Sequence, residues 1–248
     1  MDVPEESRTT FTARPGLRAV DGNGRVILIC AGDQIEDAMA LTGVLRSCRA
    51  EVVLGFRSRA AIAQLEQILE ESRRFAGANY TPPVALYLNP SEPESIESVL
   101  SWMRENTGGP HGAVILPATG TPPARAVCEA SDAATAAFLD EELAGAVALA
   151  SRLARHWQRV SVAPGATAFP PRVLFLSNGD DRAGNVFGNI LRAGIEQLVR
   201  VWRHEAELDY ARATAGDGAA RPLPPVWANQ VVRFVNNEDE SLDFACAA

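Results

Sequence analysis

The run Val26-Ile27-Leu28-Ile29-Cys30 lies between Gly24 and Gly32. Consecutive apolar residues, mostly β-branched or leucine, predict a short strand buried on both faces, the signature of a parallel sheet. Outward from it the chain keeps alternating. Residues 34–48 have helical spacing (Ile35, Met39, Leu41, Leu45), and Glu51 to Phe56 reads as a second strand. Ser58 is placed to cap a helix running to about Ala76, with Ile62, Leu65 and Leu69 on its apolar face. Val84 to Leu88 is the third strand. Ser91, with Glu94 three residues on, predicts a capped helix that stops at Gly108-Gly109. Ala113 to Leu116 is the fourth strand, 132–160 a long Ala-rich helix, Val173 to Leu176 the fifth strand, 183–213 another long helix, and Val226 to Val235 the sixth strand.

Six alternations with short connections predict an α/β fold, a Rossmann-like doubly wound parallel sheet. Residues 1–24 are polar, with Pro4, Pro15 and an Asp21-Gly-Asn-Gly24 turn, and read as an extended lead-in. Residues 25–248 then form one domain. The chain ends soon after the sixth predicted strand. The sheet is therefore expected to lack its last strand, and the chain to be a piece of a larger multidomain protein.

Composition excludes several classes of function. The net charge is −8 and the pI about 5.0. An acidic surface repels phosphate backbones, and the arginines form no long basic run, so nucleic acid is not expected as a partner. Apolar stretches fall far below the roughly 20 residues of a membrane span. The N-terminus carries Asp2, Glu5 and Glu6 and has no apolar core, unlike a secretory signal. Cys30, Cys48, Cys128 and Cys246 show no metal-type spacing and, with three scattered histidines, offer no metal set. They fit thiols of a reducing cytoplasm. All 23 basic residues are arginine, so the chain has no lysine.

In a doubly wound sheet, ligands bind beyond the carboxyl ends of the strands. The segments just after Cys30, Phe56, Leu88, Leu116 and Leu176 are therefore the places to search for chemistry. The first turn, Cys30-Ala-Gly-Asp-Gln-Ile-Glu36, has a single glycine, Gly32, where a dinucleotide fingerprint needs several. Asp33 and Glu36 put carboxylates where a pyrophosphate would sit, and Asp33 reads as a helix cap. Arg57, beside Arg59, follows the second strand, where an arginine can hold a 2′-phosphate. Gly32 and Arg57 are thus vestigial cofactor-binding candidates. Pro117-Ala-Thr-Gly120 follows the fourth strand and reads as a connecting loop. His204 and Glu205 lack the second histidine of a zinc motif, since position 208 is leucine.

Ser177-Asn178-Gly179-Asp180-Asp181 follows the fifth strand. In short-chain dehydrogenases a serine here acts with a tyrosine that donates the proton. A lysine four residues later lowers the tyrosine's pKa. In that frame this chain carries Phe187 and Leu191. Phenylalanine has no proton to give and leucine no charge. Arginine, planar and always protonated, is a poor replacement for the ammonium. No catalytic residue is assigned.

Val186, Phe187, Ile190, Leu191, Gly194, Ile195, Leu198, Val199, Val201 and Trp202 span an arc of about 220° on their helix, against about 100° for a surface helix. Two buried faces are implied. Ala136, Ala137, Ala144 and Ala148, with the Leu139–Leu143–Val147 stripe, suit close packing by the preceding helix.

Longer blocks carry a specific resemblance. Leu28-Ile-Cys-Ala-Gly-Asp-Gln-Ile-Glu36, Val114-Ile-Leu-Pro-Ala-Thr119, Phe175-Leu-Ser-Asn-Gly179, Arg200-Val-Trp-Arg-His-Glu-Ala-Glu-Leu-Asp-Tyr210 and Pro224-Pro-Val-Trp-Ala-Asn-Gln230 resemble the bifunctional malonyl-CoA reductase family of the bacterial 3-hydroxypropionate route. The resemblance implies an NADPH-dependent parent that reduces malonyl-CoA, through malonate semialdehyde, to 3-hydroxypropionate. It also implies that this chain is the degenerate dehydrogenase-like unit of the N-terminal half, with no catalytic residue to carry over. The anionic first turn, lacking a phosphate loop, leads to the expectation that the chain binds no cofactor itself. Its expected partner is the adjacent catalytic domain, contacted through helices 132–160 and 183–213, with self-association when that partner is missing. The alternative expectation is a nucleotide- or CoA-binding module of the same enzyme.

Overall fold

The structure, a computed structural model, describes residues 25–76, 81–116, 129–161, 172–178 and 209–215, and residues 187, 190, 191, 193–195 and 197–199 of a further helix. The strands are β1 (Val26–Gly32), β2 (Glu51–Phe56), β3 (Val84–Tyr87), β4 (Gly112–Ile115), β5 (Arg172–Asn178) and β6 (Asp209–Ala215). All five pairings are parallel, in the order β3-β2-β1-β4-β5-β6. The order reverses between β1 and β4, which is where a doubly wound sheet opens its crevice.

Alternation along β1 builds two cores. Ile27, Ile29 and Ala31 face α1 (Ile35–Ser47) and α2 (Arg59–Ala76), against Leu41, Leu45, Leu65 and Phe56. Val26, Leu28 and Cys30 face α3 (Pro93–Thr107) and α5 (Gly145–Ser161), against Val99, Met103, Leu149, Leu153 and Trp157. A strand buried on both faces reads as an unbroken apolar run for this reason. Gly55 is required in β2, because a Cβ there would lie 2.5 Å from Leu88 Cδ2 and 2.8 Å from Leu88 Cβ.

The helix predicted over 132–160 is present as α4 (Asp132–Leu139), a π-helical turn (Asp140–Ala144) and α5, continuous to Ser161. Ser131 caps it, accepting from the Ala134 N–H. Ser58 Oγ accepts from the Ala61 N–H, as the sequence suggested. Gly108, in the left-handed region, ends α3.

Three local expectations are corrected. Gln34, not Asp33, precedes α1, and the Asp33 carboxylate turns to the second strand's loop. The third helix begins at Pro93 behind Glu92, not at Ser91. Proline suits the first helical position because its missing N–H has no partner there anyway. The helix expected over 183–213 does not reach its predicted end, since residues 209–213 lie in β6, paired from Arg172↔Asp209 to Asn178↔Ala215. Pairing there satisfies the backbone edge of β5, and Asp-Tyr-Ala-Arg-Ala-Thr-Ala has the period-two pattern of a strand. The sixth strand of the sheet is this one. The predicted strand at 226–235, the lead-in 1–24, residues 117–120 and 204–205, and any later strand lie outside the described residues.

Candidate functional site

The loops after β1 and β2 meet at the mouth of the crevice. Gly32 makes the first turn with φ +58°, and a Cβ on it would touch nothing within 4 Å. Its carbonyl accepts from the Arg57 N–H at 2.8 Å, and Asp33 Oδ1 accepts from the Ser58 N–H at 3.1 Å. The two turns are thus tied together. The positive end of α1 already faces the Glu36 and Asp37 carboxylates of its own first turn.

Arg57 stands where the sequence placed it, but its guanidinium is engaged. Nη1 donates to Glu142 Oε1 at 3.0 Å and Nη2 to Oε2 at 3.4 Å, a two-pronged pair. Glu141 lies 3.7 Å away. The Glu142 side chain is 6% exposed and that of Arg57 26%. Burial alone would lower the Arg57 pKa, but the bonds and charge of Glu142 outweigh it and push it up. Arg57 Nε is buried with no hydrogen-bond partner among the described residues.

Glu142 comes from the π-helical turn, a rare irregularity that often re-aims side chains at sites. The turn is held in place on its other side. A Cβ on Gly145 would lie 3.2 Å from Pro90 Cβ and 3.3 Å from Ser91 Oγ, so glycine eases the close approach of the helix to the loop after β3. Sequence reasoning missed Glu142. The available signal was Asp140-Glu-Glu142, an acidic run inside an Ala- and Leu-rich helix.

Cys30 sits beneath this pair, fully buried. Burial pushes its thiol up to about 11, with the Arg57 charge and a Gly32 backbone bond pulling down and Glu142 pushing up. A thiol in that state is a poor nucleophile. Tyr87, at the end of β3, gives its hydroxyl to Glu92, 3.0 Å from each oxygen. Burial and Glu92 raise its pKa, opposite to what a proton donor primed by a lysine needs.

The relay positions after β5 hold Phe187 and Leu191. Phe187 is 0% exposed. Its ring meets Phe138 edge-on, with centroids 5.7 Å apart and planes at 73°. Leu191, one turn on, is half-buried. Ser177 lies in β5, while residues 179–181 fall outside the described residues. Among the described residues, no group of three His, Cys, Asp or Glu could hold a metal ion, and no helix is long and apolar enough to cross a membrane. His111 serves the backbone: Nδ1 accepts from the Val26 N–H at 3.1 Å, and burial, then Arg25, lowers its pKa.

No family model matches the chain, and no curated protein does. Solved structures do. The chain is 32% identical to the N-domain, with NADP, of bacterial malonyl-CoA reductase, over 95% of its own length, with a TM-score of 0.71. It spans 44% of the length of that structure. It also shares the fold of a short-chain dehydrogenase from Mycobacterium avium (18% identity, 87% of this chain and 79% of that one, TM-score 0.65). Another, from Mycobacterium smegmatis, matches 86% of each chain at 15% identity and a TM-score of 0.64.

Proposed function

We propose that this chain, which has the short-chain dehydrogenase fold and is related to the N-domain of bacterial malonyl-CoA reductase, is a non-catalytic unit supporting an adjacent catalytic reductase domain. The larger enzyme, on this reading, is an NADPH-dependent reductase acting on malonyl-CoA and malonate semialdehyde. One observation carries the non-catalytic reading: the proton donor's place is filled by Phe187, sealed in the core against Phe138. With no lysine in the chain, nothing can restore the relay. The Arg57–Glu142 pair favours a unit that works without its own cofactor, because the cation suited to a 2′-phosphate is already neutralised.

The supporting face fits the same reading. No residue of α4 is buried, although its sequence is Asp-Ala-Ala-Thr-Ala-Ala-Phe-Leu. Ala136, Ala137 and Ala144 are exposed, and Ile190 on the following helix is 39% exposed. Gly194 lets that helix approach closely, since a Cβ there would lie 2.8 Å from Leu143 Cδ1. Two packed helices with an uncovered Ala-rich flank suit close apposition of another helix pair.

The test is to assay the chain with malonate semialdehyde and NADPH, and to delete it from the longer enzyme that carries it. No turnover by the chain, together with loss of activity or folding in the neighbouring domain, is the expected result. Turnover by the chain alone would overturn the non-catalytic reading. A fully active neighbour after deletion would overturn the supporting role.

A further inference from the structure

A second concavity lies away from the crevice, between α3 and α5. It has a volume of about 380 Å³, within the range of small-molecule sites. Its walls are rigid. Ile96, Val99, Leu100 and Met103 anchor α3 in the core, and Leu149, Leu153 and Trp157 anchor α5. Trp157 Nε1 donates to the Pro110 carbonyl at 2.6 Å, fixing the end of α5 against the turn after α3.

Helical spacing puts Arg152, Arg155, His156 and Arg159 along one side of the groove and Glu97 and Arg104 along the other. Four guanidinium groups face one carboxylate. Glu97 neutralises only Arg152, at 3.4 Å. Arg104 donates to Ser101 Oγ at 3.0 Å, a neutral partner. Arg155 and Arg159 make no ion pair among the described residues. His156 packs on Gly109, whose φ of +106° and missing side chain make room for the ring. Burial, then Arg104 and Arg159, lowers its pKa, with Glu97 opposing, so the imidazole reports a positive field inside the groove. On a chain of net charge −8, such a concentration of unpaired cations in a rigid hollow calls for an anion.

We propose that the α3–α5 groove is a binding site for a small polyanion of the phosphate type, held by Arg104, Arg155 and Arg159. Guanidinium groups match phosphate oxygens in pairs, and their fixed spacing on two helices suits a compact group such as a diphosphate. The concavity, open to solvent on the side of the exposed Arg155 and Arg159, has the volume of a small molecule rather than the flat area of a protein contact. The site is independent of the crevice and of the reading given to it.

Calorimetric titration of the full chain with pyrophosphate at low salt tests the site, with sulfate and an acidic peptide as parallel titrants. Saturable pyrophosphate binding is expected, weakened by at least about tenfold in the Arg155→Gln/Arg159→Gln variant, as loss of charge-assisted contacts implies. The His156 imidazole, identified in NMR spectra with a His156→Asn variant, should titrate at higher pH when pyrophosphate is bound, because an anion favours the imidazolium. Absence of saturable binding at millimolar pyrophosphate overturns the proposal. So does equal binding by the double variant, or a His156 resonance that does not move. Equal affinity for sulfate reduces the groove to a non-specific anion sink. Saturation by the acidic peptide alone assigns it to a protein partner instead.

Discussion

Arginine is used in opposite ways in two regions of this molecule. After β2, Arg57 is two-thirds or more buried and locked to Glu142. Along α3 and α5, Arg104, Arg155 and Arg159 face a hollow whose one carboxylate, Glu97, pairs with Arg152. The first arrangement ties the cation to a carboxylate of the same chain, and the second leaves a field for something outside the chain. The fold places the first at the carboxyl ends of the strands, where a dehydrogenase binds its nucleotide. The difference therefore separates the inherited crevice from the groove that still carries free charge.

The largest effect should come from opening the closed arginine. Glu142→Ala leaves a largely buried guanidinium with only the more distant and exposed Glu141 carboxylate, at 3.7 Å, and is expected to cost about 3 kcal/mol. A chain of this size would melt roughly 6–12 °C lower. Replacing both partners, as in Arg57→Met/Glu142→Leu, should recover most of that loss, because desolvation disappears with the charges. A cost below about 0.5 kcal/mol for Glu142→Ala would mean that the pair behaves like a surface bridge, and the contrast between the two regions would collapse.

Cys30, beneath the same pair, gives a pH signature. Its folded pKa, about 11, lies above the unfolded value. The native state therefore keeps a proton that the unfolded chain has lost, and stability is full below about pH 8.5 and falls as pH rises towards 11. The loss should be on the order of 2 kcal/mol by pH 11. Melting curves of Cys30→Ala, compared with the parent from pH 8 to 11, should show a shallower slope. Identical slopes would remove Cys30 from the closed cluster.

Phe187→Tyr comes next in size. A hydroxyl added at a site with no exposure needs a partner, and its burial should cost about 1–2 kcal/mol in thermal unfolding. It should give no malonate semialdehyde turnover, since position 191 stays leucine. Measurable activity would show that the scaffold still holds a relay.

How much was readable follows from what each feature depends on. β1 could be read from Val26 to Cys30 because burial on both faces writes itself into consecutive residues. Phe187 and Leu191 could be read because the relay has a fixed spacing. Arg57 could be placed, but not its partner, because Glu142 lies 85 residues away and reaches it through a π-helical turn that no periodicity announces. Asp33 was misread as a cap for a similar reason: its carboxylate is taken by Ser58, 25 residues on, and local rules see only nearby backbone donors. β6 was overlooked because Asp209 to Ala215 follows a predicted helical stretch without a break and its alternation is short and Ala-rich. Pairing with the edge of β5, 37 positions back in the chain at Arg172↔Asp209, selects the strand. The groove's arginines were visible at helical spacing, but their meeting depends on how α3 and α5 pack.

The smallest expected effect is the sharpest check on the comparison. Arg155→Gln/Arg159→Gln removes two charges that have no partner among the described residues. Its unfolding free energy should stay within about 0.5 kcal/mol of the parent, or rise slightly as repulsion with Arg104 and Arg152 eases. The same two charges, if they were structural like Arg57, would cost several times more when removed. Thermal melts of this variant beside Glu142→Ala therefore measure the two regions on one scale. A large loss in the groove variant would mean that its arginines are paired in solution, and a groove with paired arginines has no charge left to offer a ligand.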